Sequence, residues 1–140
     1  MSTDDETLRF EGIHCAMVIR RPAKGVVVLD ISGNDIGELG NAPFVELEKD
    51  IERGVPIELF IDARATRLAS MEVSSDWAHW LGRNRQRFRH VSMLTGSRFI
   101  QITASFVRRF AELGDRMRLY TEPAAFEGAL SNATANADTV

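Results

Sequence analysis

A chain of 140 residues with 44% hydrophobic and 26% charged content has room for one ordinary globular core and not comfortably for two. Its net charge of −3 argues against a nucleic-acid surface, which needs clustered cations. No apolar run approaches the roughly 20 residues of a membrane span, and the acidic start from Met1 to Thr7 is neither a secretory signal nor a basic transit peptide. A single cysteine, Cys15, permits no internal disulfide, which fits a cytoplasmic setting.

Residues 1–7 and the Ala/Asn/Thr-rich stretch 132–140 lack apolar periodicity and are expected to be mobile, leaving residues 8–131 as one folded domain. Ile13, Cys15, Met17 and Ile19 alternate and predict a strand over Ile13 to Arg20 with those residues on one face. After the break at Pro22 to Gly25, Gly25 to Ile31 reads as a buried strand, antiparallel to the first because the connection is short. A glycine-bearing loop from Gly33 leads to Asn41 as a candidate N-cap and Pro43 in the first helical turn. Phe44, Leu47 and Ile51 then recur at helical spacing up to Gly54. Ile57 to Ile61 is the third predicted strand.

A second helix is predicted from about Ser75 to Arg89, with Trp77, Leu81, Asn84 and Phe88 in one stripe and an arginine-rich end. Val91 to Leu94 is a short strand. Gly96 and Ser97 open a third helix that is expected to bury Phe99, Ile102, Phe106, Phe110 and Leu113 and to stop at Gly114. Met117 to Tyr120 forms the last strand, and Pro123 opens a short helix through Phe126 and Leu130. The order β-β-α-β-α-β-α-β-α predicts an α/β domain: a mixed sheet, parallel except for its first strand, with helices packed on it.

Catalytic and metal chemistry is hard to assemble from these residues. His14 and Cys15 are neighbours on a strand, so their side chains point to opposite faces. Neither His79 nor His90 has a partner at zinc-ligand spacing, so no metal or cofactor is expected. The glycines between Gly33 and Gly40 lack the phosphate-loop lysine and the dinucleotide spacing. On a helix, Arg83 and Arg87 fall on one flank of the apolar stripe and Arg85 and Arg89 on the other, which suits the borders of a packed helix better than a nucleic-acid face. An enzyme would need a polar cluster at the strand ends, such as Asn34, Asp62 and Thr95.

Three segments resemble the STAS family, whose SpoIIAA-like members include the bacterial anti-sigma factor antagonists. They are Val26 to Gly33 followed by Asn41 to Phe44, Leu59 to Arg64, and Val107 to Gly114 with Met117 to Tyr120 and Phe126 to Leu130. The resemblance runs from about Gly25 to Leu130. It implies a non-catalytic regulatory module that binds a protein, such as an anti-sigma-factor-like kinase or another regulator. In such antagonists a kinase phosphorylates a serine in the turn that opens the second helix. Counting without gaps from Asp62 puts Ser70, Met71, Glu72 and Val73 at that turn, with Met71 in the phosphorylatable place. A shifted alignment would offer Ser70, Ser74 or Ser75, for which helix capping is the plainer role. The resemblance thus implies a partner surface of Ser70, Met71, Glu72, Ser74 and Ser75, with Asn34, Asp35, Thr95 and Ser97 in neighbouring loops.

Two other roles stay open. SpoIIAA-like folds also occur in families that resemble lipid carriers, and the apolar third helix could line a pocket for a small ligand or lipid. The same apolar excess could instead join two copies in a homodimer.

Overall fold

The computed structural model describes residues Thr7–Asp138. Six strands are hydrogen-bonded in sequence order: β1 (Thr7–Glu11), β2 (Cys15–Ala23), β3 (Val26–Asp35), β4 (Ile57–Ala69), β5 (Phe88–Thr95) and β6 (Met117–Tyr120). β1, β2 and β3 pair antiparallel, and β3 to β6 pair parallel. The helices are α1 (Ala42–Glu52), α2 (Met71–Arg83), α3 (Arg98–Phe110) and α4 (Pro123–Asp138), with short 3-10 turns at Arg85–Arg87 and Gly114–Arg116. The mixed sheet and its crossover helices match the expected architecture, with one extra edge strand ahead of it.

The pleat separates two cores. Val27, Leu29, Leu59, Ile61 and Val91 point to the face that packs on α1, α2 and α3. Their neighbours Val26, Val28, Phe60 and Leu94 point the other way, onto α4. Burial on both faces is why β3 and the start of β4 read as unbroken apolar runs. Phe126 anchors α4, edge-on to Phe60 (5.7 Å) and Tyr120 (5.9 Å), and its burial stabilises by about 1.5–3 kcal/mol.

Several expected boundaries move. Thr7 belongs to β1 rather than to a loose end, and Ile13 lies in the bend before β2, 90% exposed. α4 runs to Asp138 through the segment expected as a tail. Ala129, Ala133 and Ala137, four residues apart, lay a small-residue stripe on the second core. Residues 1–6, 139 and 140 of the expected mobile ends lie outside the described residues.

β4 continues past Ile61 to Ala69, pairing with Ser32 to Asp35 through register shifts, so the expected loop after the third strand is itself strand. α2 therefore starts at Met71, not Ser75, and ends at Arg83. Phe88 and Arg89 belong to β5, which removes the helical arginine flanks. The Asn41 side chain makes no cap hydrogen bond.

α3 is rotated from the expected phase. It buries Ile100, Ala104 and Val107, while Phe99, Ile102, Phe106 and Phe110 are 40–63% exposed. The small Ala104 on the inner face lets the helix approach the sheet, whereas a phenylalanine face would hold it off.

Candidate functional site

The parallel strands end on one side of the sheet, beside the first turns of the helices that follow them. Only Ser70 separates β4 from α2. Its backbone N–H donates to the Asp35 carbonyl (2.9 Å), which ties the start of α2 to the end of β3. Its hydroxyl accepts from the Val73 N–H (3.1 Å), the N-cap bond of α2. Ser74 is buried, and its hydroxyl donates to the Ser70 carbonyl (3.0 Å). Ser75 is half-buried, and its carbonyl is bonded to His79 Nδ1 (2.9 Å). Met71 stands 83% exposed, with Glu72 exposed beside it.

The neighbouring predicted residues do not all meet there. The half-buried Asn34 donates its backbone N–H to the His14 carbonyl (2.8 Å). That close approach needs Gly33, whose φ is 87° and where a Cβ would strike the same carbonyl. Thr95 is buried at the end of β5 with its hydroxyl toward the Tyr120 carbonyl (3.4 Å), and Ser97 caps α3 by accepting from the Ile100 N–H (3.2 Å).

Asp35 is different. It is only 6% exposed, and it lies where two cavities meet. The inner one, of about 70 Å³, sits between the sheet, α2 and α3, with walls that include Ile61, Trp77, Met93, Ile100 and Val107. The outer one, of about 110 Å³, lies between the loop after β3 and the first turns of α1 and α2, and is lined by Glu72 and Asp76 as well as Asp35. Burial raises the Asp35 carboxyl above its ordinary pKa and the Glu38 charge adds to this, while the Gly37 N–H (3.3 Å, on Oδ1) opposes it. The sequence marked Asp35 only as a loop residue, because nothing local signals that a strand-end aspartate will be enclosed.

On the outer surface, Phe99, Ile102, Phe106 and Phe110 form a stripe along α3 at helical spacing. Phe106 and Phe110 are in ring contact (5.5 Å), and His79 of α2 lies edge-on to Phe110 (5.2 Å). Met71, Ser75 and His79, four residues apart, follow the flank of α2 that runs beside this stripe. The exposed Arg98 and Arg109 border it on the far side, around a shared hollow with Ile102 and Phe106.

Several other ionisable groups are held in structural pairings. Arg21 is buried between β2 and α1, donating to both Asp50 oxygens (2.9 and 2.8 Å) and to Glu46 (3.3 Å). Glu38 accepts from the backbone N–H groups of His14 (2.8 Å) and Ile13 (3.1 Å), which hold its carboxyl below the usual range. His90 bridges Glu58 (3.1 Å) and Arg118 (2.9 Å) across three strands. Burial pushes the Cys15 thiol up to about 11, so it is protonated and a poor nucleophile at neutral pH. Among the described residues no group of three or more His, Cys, Asp or Glu could hold a metal ion, and no helix is long and apolar enough to cross a membrane.

The six-stranded sheet, with three crossover helices on one face and a closing helix on the other, has a SpoIIAA-like fold. In structure the chain is similar to an uncharacterised protein of the DUF3478 family with a SpoIIAA-like fold from Shewanella loihica PV-4, with a TM-score of 0.56. The two share 13% identity over 86% of this chain and 98% of that one, so the likeness is one of fold. No family model and no curated protein matches the chain in sequence.

Proposed function

We propose that the chain is a non-catalytic cytoplasmic module that docks a protein partner through the α3 stripe and the first turn of α2, without a phosphoserine gate. The uncovered apolar stripe with arginines along its border carries this reading. An exposed row of three phenylalanines and an isoleucine lowers solubility unless something covers it. Arg98 and Arg109 select a partner whose apolar ridge has an acidic margin. The absence of a gate is supported by Ser70, whose hydroxyl is engaged in the cap, and by Ser74, which is enclosed.

Affinity capture from host extract tests the proposal, using the wild-type chain, a Phe106→Ser/Phe110→Ser variant and an Arg98→Glu/Arg109→Glu variant. A protein retained by the first and lost by both variants, all three melting alike, is the expected outcome. Retention that ignores both variants contradicts the docking face. Concentration-dependent dimerisation of wild type alone gives the face to a second copy. Phosphate on Ser70, Ser74 or Ser75 in the native protein contradicts the ungated state.

A second reading, a small-ligand domain, is favoured by a separate observation. The inner cavity reaches into the core between α2 and α3, and the exposed phenylalanines are not among its lining residues.

A further inference from the structure

The surface of the inner cavity is almost wholly apolar, and the polar residues on its lining are Asp35, Thr66, Ser74 and Thr103. Thr66 and Ser74 are already committed, their hydroxyls donating to the Ile31 carbonyl (2.9 Å) and the Ser70 carbonyl. Thr103 donates to the Phe99 carbonyl (3.1 Å). Asp35 is not fully committed. Its Oδ1 accepts the long bond from Gly37, and its Oδ2 accepts none among the described residues. No fully enclosed side-chain oxygen in those residues lacks a partner, so Oδ2 is not fully enclosed, and the outer cavity, whose walls are partly polar, is the space it faces. A carboxylate nine-tenths buried with one oxygen unanswered costs stability until a donor reaches it.

The sign of that donor follows from the surroundings. Glu72 and Asp76 line the outer cavity beside Asp35, and neither cavity is lined by a lysine or arginine. The helix ends that might attract an anion are partly engaged. Ser70 takes the Val73 N–H, Pro43 has none to give, and Ala42 and Val45 donate to the Leu39 and Asn41 carbonyls. Three carboxylates around one mouth therefore favour a cation.

We propose that the paired cavities bind a small amphiphilic cation, with its aliphatic body in the inner chamber and its ammonium group on Asp35 in the outer cavity. The inference rests on the small-ligand reading and adds the charge and the anchoring atom. The chamber holds about five water-sized volumes, which suits an unbranched chain of roughly four to six carbons.

The test titrates pentylamine, 1-pentanol and pentanoate separately into the isotope-labelled full chain at pH 7, followed by NMR. Pentylammonium is expected to bind about tenfold more tightly than the alcohol, and pentanoate least. Nuclear Overhauser contacts from the probe should reach Ile61 and Met93. In Asp35→Asn the ammonium preference should vanish while the alcohol binds as before, which also shows that the variant is folded. The exposed Glu72→Gln/Asp76→Asn variant should lower the preference about threefold. If none of the three probes contacts the chamber, the small-ligand reading fails and the inference fails with it. If the alcohol or pentanoate binds as tightly as the amine, or the amine preference survives in both variants, the cation assignment is overturned and the chamber remains a ligand site.

Discussion

Two aspartates, Asp50 in α1 and Asp35 at the end of β3, are almost equally buried, at 5% and 6% exposure, and are treated in opposite ways. Asp50 receives a two-pronged arginine: Arg21 donates to both of its oxygens, and Glu46 shares the remaining guanidinium charge. Asp35 receives one backbone N–H and opens onto the outer cavity. The first arrangement locks α1 against β2. The second leaves a charge in a poorly solvated place, a configuration that folding alone does not favour and that a site can use. Burial of a carboxylate does not by itself mark function. What separates the two is whether the fold answers it.

Breaking the closed pair gives the largest effect. Asp50→Ala leaves Arg21 buried without its main partner and should cost about 3–5 kcal/mol in urea unfolding, because an unpaired buried charge loses its hydration with no return. A cost below about 1 kcal/mol would mean that water reaches the guanidinium, and the contrast with Asp35 would shrink. Ser70→Ala tests the join between the open site and α2. Losing one N-cap acceptor should cost about 1 kcal/mol, and the Ser70 N–H to Asp35 carbonyl bond should survive because it uses only backbone. Amide exchange at Ser70 should then stay slow while that at Val73 quickens.

The two sites also differ in how far the sequence announces them. The central strands and their crossovers were legible because Val26 to Leu29 and Ile57 to Ile61 are buried on both faces. β1 was not, since only two half-buried apolar residues, Leu8 and Phe10, alternate with exposed Thr7, Arg9 and Glu11 on this sheet edge, too short a run to announce a strand. The extension of β4 runs through Arg64, Arg67 and other exposed positions, so its polarity reads as loop. For α2 the true start did have a signal: Ser70 followed by the acidic Glu72 in the first turn is an N-terminal pattern. The Trp77 stripe instead drew the helix downstream.

α3 was misphased because it is apolar around much of its circumference. A phenylalanine row and an Ile100/Ala104/Val107 row compete, and only the tight approach to the sheet selects the smaller residues. The Arg21–Asp50 pair spans 29 residues, beyond any local pattern, and on α1 alone Asp50 and Glu46 look like its solvent face. The candidate surface named from the sequence was partly assembled by the fold. Met71, Glu72 and Asp35 gather at the start of α2. Ser97 and Thr95 belong to the α3 cap and to the β5 end.

The contrast between the two aspartates is tested most directly by the thermal midpoints of Asp35→Asn and Asp50→Asn, measured side by side against pH. The folded-state pKa of Asp35 is raised, so its ionised form is disfavoured in the native state. The stability it contributes is complete below the ordinary carboxyl value of 3.8 and is lost as pH rises through the higher folded value. At pH 7 Asp35→Asn should therefore melt above wild type, with the gain disappearing below that ordinary value, while Asp50→Asn melts well below wild type. If Asp35→Asn instead falls as Asp50→Asn does, the fold already answers Asp35, and the strand-end carboxylate is structural.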